Sequence, residues 1–317
     1  MKTVFLFSGQ GSHYYQMGRK TYAERGVFWR SMHELDEIAR PFVGQSLITT
    51  LYDDRLKASD VFDDLMLTHP AIYMVELSLA RALINQGVRP DLTLGASLGA
   101  FVAATVAGAI TPENALSLVI EQARIFSTHC SPGGMLAVLA APSLHDSEPL
   151  KSLSEIASVN FSSHFVLAAA SDSLPRIRRH LEQLNISFQD LQVAYPFHSR
   201  WMESAHAPFE PALKGLELKP GALPMVCCMR SELLDSLDAN YFWDVARQRV
   251  EFERTMARLE ETGPFNYVDV GPSGTLATFL RYSLSRDTRS QVFPTLTPFG
   301  REQANLAMLH AELGARR

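Results

Sequence analysis

A serine held between glycines is the strongest chemical signal in the chain: Gly95-Ala96-Ser97-Leu98-Gly99 fits the pattern G-x-S-x-G. An apolar run, Leu92–Gly95, precedes it, and a stretch of small residues, Ala100–Ala109, follows. Strand, tight turn and helix in that order is the context in which this pattern means an exposed nucleophile; the alternative is a glycine-rich turn with a bystander serine. The glycines allow a sharp turn and a close approach of the next helix, which holds Ser97 Oγ clear of the sheet. The Leu98 amide, opening that helix, would face an oxyanion formed beside Ser97. Such a serine needs a base. Tyr195-Pro196-Phe197-His198-Ser199 places a histidine directly after an expected strand, whereas the remaining histidines fall mostly in helical or surface-like contexts. No carboxylate presents itself as a third member, and a backbone carbonyl suffices to fix the imidazole tautomer.

The elements that must position these groups follow from patterning over 317 residues, 46% of them apolar and 20% charged. That composition excludes a disordered chain, a collagen-like repeat and a small disulfide scaffold. The net charge of −5, with no block of Lys or Arg, lacks the footprint of a nucleic-acid binder. Three cysteines (Cys130, Cys227 and Cys228) form no CxxC, so the expectation is no structural metal and a reducing cytoplasm. The start of the chain reads as a buried strand rather than a signal peptide. The charge-free stretch from Leu92 to Thr111 is broken by glycines and hydroxyl residues, so a strand, a turn and a buried helix are expected there instead of a membrane span.

Val4–Phe7 is expected as a strand ending in the loop Ser8-Gly9-Gln10-Gly11-Ser12. Residues 28 to 85 read as mostly helical with a break at His69-Pro70, and Thr111 caps a helix from Pro112 to about Ser127. After Ser131-Pro132-Gly133-Gly134 the pattern becomes β-α-β-β-α-β, the ferredoxin-like split unit. A helix is expected over Phe242–Thr262, and a strand at Tyr267–Val270 leads into Gly271-Pro272-Ser273-Gly274. The expected organisation is therefore an α/β large subdomain, α/β-hydrolase-like, from residues 1–133 and 194–317, with an inserted ferredoxin-like small subdomain over 134–193.

At this level of detail the chain resembles the malonyl-CoA:acyl-carrier-protein transacylase family. Phe7–Ser12 is similar to that family's F-P-G-Q-G-S, the Ser97 turn to its G-H-S-x-G, and Tyr195–Ser199 to its x-x-F-H-S; Gly271–Gly274 and the ferredoxin-like insert match as well. The resemblance implies Ser97 as nucleophile, His198 as base, and the Gln10 and Leu98 amides as the oxyanion hole. It also implies that the segment Arg249-Val250-Glu251-Phe252 steadies the histidine, which singles out Glu251. Departures from the family pattern are Ser8 for proline, Ala96 for the histidine before the nucleophile, and the carboxylate of Glu251.

A further departure concerns substrate. Malonyl-type members carry an arginine in L-V-x-x-R-G-x-x-M, whose guanidinium clamps the free malonyl carboxylate. Here the stretch is Leu118-Val119-Ile120-Glu121-Gln122-Ala123-Arg124. Aligned from Leu118-Val119 the clamp position is Gln122; counted back from Pro132 it is Ala123. Arg124 as the clamp requires a gap, and two residues along a helix turn it about 200° away from Gln122. Loss of the arginine resembles the acyl hydrolase branch found with trans-acyltransferase polyketide synthases. The resemblance implies a hydrolase removing acyl groups from acyl carrier proteins by a Ser–His dyad, with Gln122, Ala96 and Phe197 around the acyl group. It needs no cofactor beyond the phosphopantetheine or coenzyme A carrying the thioester, and no nucleic-acid or membrane partner. The competing expectation is a malonyl-CoA or other acyl-CoA:acyl-carrier-protein acyltransferase, and a third is a non-catalytic carrier-protein docking module.

Overall fold

The computed structural model describes residues 1–314. Its strands, in chain order, are β1 (Lys2–Phe7), β2 (Leu92–Gly95), β3 (Gly133–Val138), β4 (Glu155–Phe161), β5 (His164–Ala170), β6 (Phe188–Asp190), β7 (Met225–Cys227), β8 (Glu232–Leu234), β9 (Val250–Glu251), β10 (Phe265–Asp269) and β11 (Gln291–Pro294). One sheet has the order β11-β10-β1-β2-β7-β8, parallel except where β8 returns against β7. A parallel strand covered on both faces should be a continuous apolar run, and Val4, Phe5, Leu6 and Phe7 of the central β1 are all fully buried. Phe5 and Phe7 pack towards the helices Val27–Val43, Leu65–Asn85 and Pro112–His129. Val4 and Leu6 pack towards Phe252–Glu260 and Thr275–Ser283. The carboxyl ends of three neighbouring strands are in register, Phe7 beside Gly95 and Leu6 beside Asp269. The loops 8–12, 96–98 and 270–274 therefore leave the sheet side by side, at the edge where open α/β sheets hold their ligands.

The second sheet has the order β6-β3-β5-β4-β9 and is antiparallel within residues 133–190. The helix Leu174–Gln183 packs on it through Leu174, Ile177 and Leu181. The molecule is thus a two-subdomain α/β fold. β9 comes from the larger part of the chain and pairs parallel with β4, Ser158 beside Val250 and Val159 beside Glu251. That pairing corrects one sequence expectation. The helix over Phe242–Thr262 is in fact two helices, Tyr241–Arg247 and Phe252–Glu260, separated by extended backbone that starts at Gln248 (φ −87°, ψ 155°). The β-branched Val250 is drawn into the sheet, and tertiary pairing overrides local helix preference.

A second correction concerns His69-Pro70, which does not break its helix. Leu65–Asn85 runs through both residues, capped by the Asp64 side chain accepting from the Met66 amide. Pro70 lies early in the helix, so its missing N–H forfeits a single hydrogen bond, to the first turn. Thr111 caps Pro112–His129 as expected, accepting from the Asn114 amide. The charge-free segment after residue 92 is strand β2 followed by the short helix Gly99–Val106. Among the described residues no helix is long and apolar enough to cross a membrane.

Candidate active site

The turn after β2 is built by close contacts that only glycine permits. A Cβ on Gly95 would stand 2.3 Å from Ala100 Cα, and one on Gly99 2.2 Å from the Phe7 carbonyl oxygen. Between them Ser97 has φ 56°, the left-handed conformation that ordinary residues avoid. His198 is the second strained residue, at φ 60°, and it sits opposite Ser97. Ser97 Oγ lies 2.8 Å from His198 Nε2, and His198 Nδ1 lies 2.8 Å from the backbone carbonyl of Gln248. A carbonyl only accepts, so Nδ1 carries the proton and donates to Gln248. Nε2 is then the bare nitrogen and accepts from the Ser97 hydroxyl. Burial pushes the imidazole down to about 4 against the favourable pull of the Gln248 carbonyl, which leaves it neutral and able to take a proton at neutral pH.

The orienting group is therefore the Gln248 carbonyl, and the assignment of Glu251 is corrected. The Glu251 carboxylate accepts from Arg249 Nε at 2.6 Å, while its amide donates to Cys228 and its carbonyl accepts from Thr255. It lines a surface depression together with Arg247, Arg249, Gln248 and His198, but makes no hydrogen bond to the imidazole, whose two nitrogens face Ser97 and Gln248. The residue that the resemblance singles out, Glu251, lies three positions beyond the orienting carbonyl of Gln248. A backbone acceptor carries no residue-type signal, so only the break in the helix reveals it.

The loop after β1 lies directly on the Ser97 turn. A Cβ on Gly9 would meet Ser97 Cβ at 2.8 Å, the Ala96 carbonyl at 2.9 Å and the Leu98 nitrogen at 3.2 Å. Among the described residues, neither the Gln10 nor the Leu98 backbone N–H donates to a protein acceptor. Two free amides beside a serine hydroxyl are what an oxyanion developing there would require. Around them is a cleft of about 330 Å³ between the two sheets, lined by the 8–12 loop, Ala96, Ser97, Phe197 and His198 on one side and by Met135, Ser158, Asn160 and His164 on the other.

A smaller cavity of about 10 Å³ continues inward from Ser97, lined by Gln10, Leu98, Phe101, His69, Gln122, Phe126 and Phe197. Gln122 is buried, and its Nε2 has no hydrogen-bond partner among the described residues; the same holds for Gln10 Oε1 and His69 Nδ1. Phe197 packs edge-on to His69, with ring centroids 5.9 Å apart. Among the described residues, neither cavity is lined by Lys or Arg. Burial pushes His69 down to about 3, so it adds no positive charge at neutral pH. Arg124 lies on the outer face of its helix, where its guanidinium takes both Glu121 oxygens, Nε–Oε2 at 2.8 Å. His69 escaped sequence reasoning; a histidine in the apolar run that begins at Leu65 was its available signal.

Comparison with known proteins shows the family. Residues 4–314 match the acyl transferase domain family, and the chain belongs to that family. A polyketide biosynthesis acyltransferase homolog, BaeD of Bacillus velezensis, is 38% identical over 307 residues, covering 96% of this chain and 95% of that protein. The homolog PksD of Bacillus subtilis is also 38% identical, over 304 residues, covering 96% and 94%. Among solved structures, a loading acyltransferase from the avermectin modular polyketide synthase superposes with a TM-score of 0.87 at 25% identity, covering 97% of this chain and 99% of that one.

Proposed function

We propose that this member of the acyl transferase family is a thioesterase, releasing acyl groups from acyl carrier proteins in polyketide biosynthesis through an acyl-enzyme on Ser97. The observation that carries the reading is the inner cavity. Where a malonyl carboxylate would need a cation there is neutral, buried Gln122, while Arg124 is turned outward onto Glu121. A carboxylate buried there would lose its hydration without a charged partner. A charge-assisted hydrogen bond is worth about 1.5–3 kcal/mol, roughly twice what a neutral one contributes. Acetyl and other neutral acyl groups incur no such cost.

In the proposed reaction Ser97 Oγ attacks the thioester carbonyl carbon as His198 Nε2 takes the hydroxyl proton. The Gln10 and Leu98 amides hold the oxyanion. The C–S bond then breaks, and the proton passes from His198 to the departing thiolate. In the second half His198 takes a proton from water, whose oxygen attacks the acyl-serine carbonyl. Collapse returns the proton to Ser97 Oγ and releases the free acid. The chemistry calls for no cofactor beyond the phosphopantetheine or coenzyme A that carries the acyl group. The polyketide setting is supported by the names of the relatives, and the carrier-protein partner by the family resemblance of the Ser97 and His198 motifs. A cytoplasmic location is supported by three cysteines that are all free and buried.

The second reading, transfer of the acyl group to a carrier thiol instead of water, is favoured by the family itself. Gln122→Arg separates the two. If Gln122 has replaced the clamp, the variant should shift the ratio of malonyl to acetyl loading on Ser97 toward malonyl by about tenfold or more, at ~1.4 kcal/mol per decade. Intact-mass analysis of the acyl-enzyme after brief exposure to each thioester reads this ratio. An unchanged ratio would remove Gln122 from the specificity argument.

A further inference from the structure

Glu76 lies on the helix Leu65–Asn85 and is fully buried. No step of the reaction above uses it, yet it reaches the loop that carries Gln10. Its Oε1 is 2.8 Å from the Ser8 amide nitrogen and 2.7 Å from Ser8 Oγ. Ser8 Oγ is in turn 2.9 Å from Ser12 Oγ, and Ser12 Oγ is 2.7 Å from the Gly9 carbonyl oxygen. These oxygens form one line: Glu76, Ser8, Ser12, Gly9. A hydrogen count along the line is decisive. Three oxygen–oxygen contacts need three hydrogens, the carbonyl supplies none, and the two serine hydroxyls supply two. The third must sit on Glu76. Were Glu76 ionised, Ser8 would donate to it, Ser12 would donate to Gly9, and the Ser8–Ser12 contact would set lone pair against lone pair.

We propose that Glu76 is a neutral carboxylic acid that positions the oxyanion loop by donating to Ser8, which donates to Ser12, which donates to the Gly9 carbonyl next to the Gln10 amide. The surroundings agree. Glu76 Oε2 has no hydrogen-bond partner among the described residues, which a buried anion would not tolerate cheaply. Complete burial and the nearby carboxyl of Asp269 both favour the protonated form over the anion, against the bonds from Ser8. The loop cannot slide to compensate, because a Cβ on Gly271 would already stand 2.4 Å from Ser8 Oγ, leaving no space on that side. The proline that the family resemblance puts at position 8 has neither hydroxyl nor N–H, so this link belongs to a chain with serine there.

The inference rests on the proposed role of the Gln10 amide, and two measurements keep the two claims apart. Infrared difference spectra of wild type against Glu76→Gln, taken near pH 8, should show the C=O stretch of a protonated carboxylic acid in wild type and its loss in the variant. Burial pushes Asp269 only to about 6, so it is mostly ionised there and cancels in the difference. Ser8→Ala, which cuts the line at its middle, should lower the rate constant of Ser97 acylation by about tenfold or more with KM unchanged, since an oxyanion donor acts in the transition state. Glu76→Gln, neutral and nearly isosteric, should keep more of the rate than Glu76→Ala. Absence of the carboxylic-acid band overturns the protonation claim. A present band with wild-type acylation in Ser8→Ala overturns the positioning claim. Wild type that never acylates Ser97 would instead overturn the catalytic reading, with the band still readable.

Discussion

Two residues of the site are held in left-handed backbone conformations without being glycine, Ser97 at φ 56° and His198 at φ 60°. Each position costs folding energy that the surrounding contacts offset, and the return is a 2.8 Å contact between Oγ and Nε2 with the imidazole tautomer set by a main-chain carbonyl. Because the orienter is uncharged, burial is left to dominate the imidazole. The ordinary histidine midpoint of 6.5 drops to about 4, so the base is bare across the neutral range. The acid limb of kcat/KM should therefore lie near pH 4 rather than 6.5, with a plateau between. A limb centred at the ordinary histidine value would mean that His198 is solvated or that another group is the base. His198→Ala should cost on the order of 10²–10⁴ in rate, read from acyl-enzyme formation by rapid quench; a loss within a few fold would contradict the assignment.

At the scale of elements, the site is the meeting of three loops at neighbouring strand ends. A Cβ at position 9 would press on the Ser97 side chain and the Ala96 carbonyl at under 3 Å, and main chain cannot retreat as a flexible side chain can. Gly9→Ala should accordingly cut turnover by at least about tenfold by moving the Gln10 amide, a change in kcat with the far-UV circular dichroism of wild type retained. Full activity in that variant would mean that the loop has slack. These loops were legible in the sequence because sharp turns and close approaches impose residue types: glycines at 9, 95 and 99, and a serine between two of them. Gln248 was illegible for the converse reason. It contributes a carbonyl, which every residue has, and the extended stretch that presents it exists because Val250 and Glu251 pair with β4, a partner about ninety residues earlier in the chain. The edge strand β11, the short β8 and the helix Glu302–Leu313 likewise went unread, lacking strong periodicity. Gln122 and Arg124 were separable in advance because helix geometry alone puts them on different faces, and the outward ion pair of Arg124 agrees.

Across the whole molecule, the buried groups predict how stability changes with pH. Burial lowers His13, His69 and His198 to about 4, about 3 and about 4, so between those values and 6.5 unfolding takes up protons and stability falls as pH falls. Asp269, raised to about 6, and Glu76, raised well above its ordinary value by burial, act in the opposite sense. Their protons are held by the native state and released on unfolding, so their contribution is lost as pH rises through their folded values. Three histidines on the acid side and two carboxyls on the other place the maximum near pH 6–7. The urea midpoint should be higher there than at about pH 5 or pH 9, and a midpoint that climbs steadily from pH 5 to 9 would show that the buried carboxyls are ionised. The central claim, a Ser–His site whose neutral inner cavity favours hydrolysis of neutral acyl thioesters, is tested most directly on wild-type protein with acetyl- and malonyl-loaded acyl carrier protein. Free acid and acyl-enzyme would be followed together, with Ser97→Ala as the inactive control. The account predicts release of acetate well above release of malonate and little passage of either group to a second carrier thiol; rapid malonyl transfer with negligible acetyl hydrolysis would contradict it.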